Sequence, residues 1–140
     1  MSKRVFFALC AFAGVCAFAQ SGRTIQVDVS YTGSATVDAG HKIYVALSES
    51  ADFSSGPPAA TKSLDAKQGA VTFTDVQNVP VYVTTAFDPI GAWDAQSPPP
   101  SGTRMGMYTV HPPAPEPIKV EPGKTARVKI TFDDTNKVLY

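Results

Sequence analysis

The chain has 140 residues, twelve Lys and Arg against twelve Asp and Glu, and only two cysteines. Its charges are scattered with no basic stripe, which disfavours nucleic-acid binding and adhesion to an anionic membrane surface. The length suits one domain with an ordinary core.

Residues 1–19 read as a secretory signal peptide. Lys3 and Arg4 form a short positive region, Val5 to Cys16 is an uncharged apolar run, and Ala17-Phe18-Ala19 is a small-x-small cleavage site. The run is shorter than the ~20 residues a membrane span needs. A lipoprotein site at Cys16 would want a small residue before it, where Val15 stands. Cleavage after Ala19 leaves residues 20–140 as a single β-sandwich domain, exported to the periplasm or beyond, with no membrane insertion after cleavage. Both cysteines, Cys10 and Cys16, leave with the signal, so the domain is expected to fold without a disulfide. Losing Lys3 and Arg4 leaves ten basic against twelve acidic residues, a net charge of −2.

The dominant period along the rest of the chain is two. Ile25, Val27, Val29 and Tyr31 alternate with Thr24, Gln26, Asp28 and Ser30, which predicts a half-buried strand. Lys42 to Ser48 repeats the pattern with Ile43, Val45 and Leu47 inward. Val71 and Phe73 begin a third alternation, and Val79, Val81, Val83 and Phe87 make a fourth. Lys124 to Phe132 gives a fifth, with Ala126, Val128, Ile130 and Phe132 inward. Ala59–Leu64, Met105–Val110 and Pro117–Val120 are fainter strand candidates. No window shows helical spacing with caps. Turn sequences such as Thr32-Gly33-Ser34, Ser55-Gly56-Pro57-Pro58 and Glu121-Pro122-Gly123-Lys124 separate the runs. Seven or eight short strands at this spacing predict an all-β sandwich of two packed sheets. Seven of the twelve prolines fall between Pro98 and Pro117. They read as extended rim loops that discourage edge pairing, ahead of a polyproline ligand for a partner groove.

The order of several motifs resembles a known family. Tyr44-Val45-Ala46-Leu47, Asp52-Phe53-Ser54-Ser55-Gly56-Pro57-Pro58, Gly69 to Val76, Tyr82 to Asp88, Trp93-Asp94 and Val128 to Asp134 together look like the carboxypeptidase regulatory-like, or prealbumin (transthyretin)-like, secreted bacterial β-sandwich domains. The resemblance spans Thr24 to Asp134 and implies a seven-stranded antiparallel Greek-key sandwich. It implies no single activity, because such domains are mostly accessory or adhesive. The chain departs from the family pattern after its long strand. Relatives often carry a calcium-like Asp-x-Asn-Gly-Asn-Gly turn there, whereas this chain reads Asp88-Pro89-Ile90-Gly91-Ala92-Trp93-Asp94.

That loop is the candidate ligand site. Calcium takes six to eight oxygens, and Asp88 and Asp94 are the only carboxylates the loop offers, so Asp88 is read first as a cap on the turn amides. No cofactor and no metal are expected, with Asp88 and Asp94 the residual calcium candidates. Trp93, Tyr108, Arg104, Asp88 and Asp94 make up the expected ligand-binding set, with aromatic faces for sugars or peptide side chains and charges for polar groups. The competing reading folds Trp93 back to plug one end of the sandwich. His41 and His111 read as surface residues, because no His/Cys spacing suggests a transition-metal site. There is no nucleophile elbow, cysteine nucleophile or phosphate loop. Transthyretin-like hydrolases use several histidines and an arginine and end in Tyr-Arg-Gly-Ser, whereas this chain reads Lys137-Val138-Leu139-Tyr140 and has two histidines. The sequence therefore favours a non-enzymatic exported module for an unknown protein or glycan partner, or a structural envelope role, over such a hydrolase. Binding would proceed by stacking on Trp93 and Tyr108 or by pairing at an exposed strand edge.

Overall fold

A computed structural model describes residues 22–139. The expected signal peptide and both cysteines lie outside the described residues. The rest is all β, as the period-two pattern predicts: β1 (Arg23–Tyr31), β2 (Ile43–Ser48), β3 (Ala60–Leu64), β4 (Gln68–Val76), β5 (Tyr82–Phe87), β6 (Arg104–Met107) and β7 (Thr125–Phe132). Two sheets form, one in the order β4-β1-β7 and the other β3-β2-β5-β6. Every pairing is antiparallel except β1 with β7, which run parallel from Thr24 opposite Thr125 to Tyr31 opposite Phe132. That parallel pair departs from the wholly antiparallel layout expected. The chain leaves β1 for the second sheet, returns for β4, goes back for β5 and β6, and ends beside β1.

The inward faces carry the core. Ile25, Val27, Ile43, Val45, Val83 and Phe87 are fully buried, and Phe73, Ile130 and Phe132 close the space between the sheets. Tyr31 belongs to this layer, its ring tilted at 5.1 Å from both Phe87 and Phe132. Central β5 is buried on both faces. Val83, Thr85 and Phe87 point inward, while Thr84 and Ala86 are covered on the outer face, opposite Ala46 and Tyr44 of β2 and Met107 and Met105 of β6.

The fainter candidates resolve unevenly. Ala59–Leu64 becomes β3 and Met105–Val110 becomes the shorter β6. Pro117–Val120 forms no strand: Ile118 makes only an isolated bridge with Val81, since the prolines around it supply no amide to extend a ladder.

The sandwich has two flanks, and they are closed differently. On one, β6 faces β7. There the segment after β7 returns along β6: Met105 N–H donates to the Asn136 carbonyl at 2.8 Å, and Gly102 and Val138 N–H bond to the Val138 and Thr103 carbonyls. Gly106 of β6 sits so close to the neighbouring sheet that a Cβ there would press on Phe132 and Thr85. On the other flank, β3 and β4 are each the outermost strand of their sheet. They approach closely where the Leu64 side chain rests on Gly69, and a recess lined by Ala60, Lys62, Phe73 and Thr74 lies between them further along.

Thr85 is the one polar residue on the inward face of β5. It is fully buried, and its hydroxyl finds no partner among the described residues. An unpaired buried hydroxyl destabilises a fold. Thr85→Val is therefore expected to raise unfolding stability by about 1 kcal/mol, measured by urea titration; a loss of stability would show that the hydroxyl is bonded in solution.

Candidate functional site

The loop from Asp88 to Thr103 joins β5 to β6, and its ends are neighbours because those strands pair from Thr84–Met107 to Phe87–Arg104. It is a compact loop with closed ends, a common site of function. Asp88 organises its first half. The carboxylate is buried and accepts three backbone amides: Ile90 N–H on Oδ1 at 2.9 Å, and Ala92 and Trp93 N–H on Oδ2 at 3.0 Å each. Both oxygens thus serve the turn. Gly91 has φ of +78°, and a side chain there would run into the Gly40 carbonyl, so the loop packs directly on the Asp38–His41 turn.

Trp93 lies outside the core cluster. Its ring stands edge-on to Tyr44, with centroids 5.3 Å apart and planes at 82°. Tyr44 alternates with the fully buried Ile43 and Val45, so this contact is on the outer face of the β3-β2-β5-β6 sheet. The Tyr44 hydroxyl donates to the Trp93 carbonyl at 3.3 Å, and the indole Nε1–H donates to the Ser97 carbonyl at 2.9 Å. Trp93 is therefore neither an end plug of the sandwich nor a loose exposed ring. Loop and sheet hold it half-buried, beside a shallow recess of about 260 Å³ lined by Ala92, Trp93, Asp94, Ser97, Pro98 and Pro100.

Asp94 is exposed at the rim of this recess. Its Oδ1 accepts Gln96 N–H, Ser97 N–H and the Ser97 hydroxyl, and the amides of Gln96 and Ser97 foremost hold its pKa below the ordinary carboxylate value. Its Oδ2 makes no hydrogen bond among the described residues. Among those residues, no group of three or more His, Cys, Asp or Glu side chains is gathered to hold a metal ion.

Arg104 and Tyr108 do not join Trp93. Arg104 Nε donates to Asp134 Oδ1 at 3.0 Å, and its Nη1 donates to the Gly102 carbonyl. Asp134 also accepts the Tyr31 hydroxyl and, on Oδ2, the Ser34 amide and hydroxyl. Arg104 thus works as a tie between β6 and the end of β7. Tyr108 bonds through its amide to the Val83 carbonyl near the start of β5 and packs on the core, whereas Trp93 lies beyond the end of β5, roughly 15 Å along the strand. The expected five-residue set therefore divides into three places. The pairing of Arg104 with Asp134 spans thirty positions, and no local sequence signal marks it. His41 Nδ1 is bonded to Asp38 at 2.8 Å, and His111 is exposed in a proline-rich turn.

A larger recess, about 380 Å³, opens on the β3–β4 flank, and it contains none of the expected site residues. Leu47, Phe73, Val76 and Val81 form its apolar floor. Glu49, Lys62, Asp75 and Asn78 stand around it. Lys62 Nζ hangs 6.0 Å from the Phe73 ring, a charge on the inward face of an edge strand. Asn78 is bonded to Glu49 at 2.9 Å. Asp75 has φ of +53°, which marks the bulge where β4 shifts register against β1. Adjacency of β3 and β4 across two sheets is a topological fact, which is why inspection of single segments misses this cleft.

A scan against protein-family models and searches of curated proteins and of solved structures find no match. No helix among the described residues is long and apolar enough to cross a membrane.

The Tyr31–Asp134 pair sets a pH dependence. The Tyr31 hydroxyl, then the Ser34 amide, hold Asp134 far below the usual carboxylate range. Burial first, and then Asp134, push Tyr31 up to about 12. A depressed acid stabilises the fold above its unfolded pKa, near 4, and that contribution fades as pH falls below it. A raised tyrosine stabilises below pH ~10 and loses that contribution as pH climbs from there towards the folded value. Unfolding stability measured across pH should fall at both extremes, and Tyr31→Phe should flatten the alkaline decline; an unchanged alkaline slope in that variant would contradict the assignment.

Proposed function

We propose that this chain is an exported, non-enzymatic binding module, and that its open β3–β4 flank receives an extended segment of a partner protein. The observation that carries this reading is the 380 Å³ cleft between two outermost strands. An added strand satisfies edge amides and carbonyls while its alternate side chains fill pockets beneath. The cleft supplies such a pocket, with buried core side chains as its floor and polar groups around the mouth. Its volume lies within the roughly 300–1,000 Å³ typical of binding sites. On the opposite flank the returning Asn136–Val138 segment and the Arg104–Asp134 tie run along β6.

Export rests on the signal pattern of residues 1–19. The prealbumin-like, Greek-key reading rests on the motif order from Thr24 to Asp134. Seven strands in two sheets, with β5 returning beside β2 instead of β4, agree with that expectation. The hydrolase alternative needs histidines gathered with an arginine, but His41 is engaged by Asp38 and Arg104 by Asp134.

A photo-reactive side chain placed at Thr74, on the cleft wall, should crosslink to one defined segment of a native exported partner. The same group at Thr131, exposed on β7, should not. Crosslinking from Thr131 but not Thr74, or equal labelling from both, would refute the proposal; Ala60→Trp, which fills the cleft, should abolish the Thr74 product while leaving the melting temperature close to that of the parent.

A further inference from the structure

The recess beside Trp93 shares no lining residue with the β3–β4 cleft. Three features there converge. The indole is immobilised before any ligand arrives, edge-on to Tyr44 and bonded through Nε1 to Ser97. Binding therefore costs little side-chain ordering. The recess beside the indole is walled by short or ring-shaped side chains, Ala92, Pro98 and Pro100, so no long chain fills it. At its rim, Asp94 has one oxygen committed to the Gln96–Ser97 turn and the other without a partner.

We infer that this recess binds a neutral saccharide ring, with its C–H face against Trp93 and a ring hydroxyl donating to Asp94 Oδ2. A hexopyranose presents the two surfaces this arrangement matches: an apolar face of axial hydrogens, and an edge of hydroxyl donors for the open carboxylate oxygen. Charge excludes the acidic sugars. The recess contains no cation, and the nearest sequence candidate, Arg104, is held by Asp134 on the β6–β7 flank with its side chain only 17% exposed. A carboxylated sugar would meet Asp94 with like charge and nothing to offset it. A polyproline run is the competing occupant of an aromatic recess, but it brings no backbone donors for the open carboxylate oxygen, because proline lacks an N–H.

Trp93 is the only tryptophan in the chain, so its emission reports the site directly. The purified protein is titrated with maltohexaose, cellohexaose and chitohexaose, with oligogalacturonate as the acidic control and octaproline as the peptide control. At least one neutral hexasaccharide should shift the Trp93 emission with a Kd at or below the millimolar range, and oligogalacturonate should not. Asp94→Asn keeps Oδ1 as the turn acceptor and replaces the open oxygen with an amide. It should weaken that saccharide about tenfold, a 1.4 kcal/mol change, without moving the melting temperature. Trp93→Ala should eliminate heat of binding in calorimetry. No shift with any neutral hexasaccharide at about 10 mM, a shift with octaproline alone, or equal affinity in Asp94→Asn would each overturn the inference. Crosslinking at Thr74 is unaffected by any of these outcomes, so the two sites fail or stand separately.

Discussion

Asp134 is where the two sheets of this sandwich are locked together. It follows the last strand of one sheet and takes donors from Tyr31 at the end of β1, from Ser34 just beyond it, and from Arg104 at the start of β6 in the other sheet. Several donors on one carboxylate fix a geometry that a lone exposed ion pair does not, and Asp134 binds the hydroxyl of Tyr31, whose ring belongs to the Tyr31–Phe87–Phe132 aromatic layer. The lock fixes the β6–β7 flank and directs the chain back along the β6 edge. No equivalent exists for β3 and β4 among the described residues. Leu64 rests on Gly69 at one end of that flank, and a recess floored by core side chains opens along the rest of it. The carboxylate ties one flank, and the recess opens on the other.

The strands were largely legible in the sequence because alternation is a local property. Ile25-x-Val27-x-Val29-x-Tyr31 admits one half-buried reading, and so does Val128-x-Ile130-x-Phe132. β3, with the sequence Ala-Thr-Lys-Ser-Leu, was faint because an edge strand over an open cleft buries little and needs few apolar residues. Pro117–Val120 had inward-looking Ile118 and Val120 but too few amides to join a sheet.

The candidate site was legible only in part. Asp88 as a cap on its own turn follows from its place at a strand end, and the structure shows the carboxylate in that role. The grouping of Trp93 with Arg104 and Tyr108 did not survive folding. β6 runs antiparallel to β5, so Arg104 and Tyr108 are carried to opposite ends of the strand, and Arg104 has a stronger partner in Asp134. Trp93 is not an end plug: it packs half-buried on the outer face of a sheet through Tyr44, a contact that alternation within β2 does not signal. The β3–β4 cleft was invisible, because its walls come from strands in different sheets whose juxtaposition depends on the whole topology.

The central claim is that the flank left open by this topology is the surface that meets a partner. Hydrogen–deuterium exchange on the isolated protein and on its complex with the crosslinked partner segment tests it most directly. New protection is expected in Ala60–Leu64 and in Thr74–Val76, with exchange in Arg104–Met107 and Thr125–Phe132 unchanged. Protection that appears instead along β6 and β7, or no change in either outermost strand beside the cleft, would contradict it.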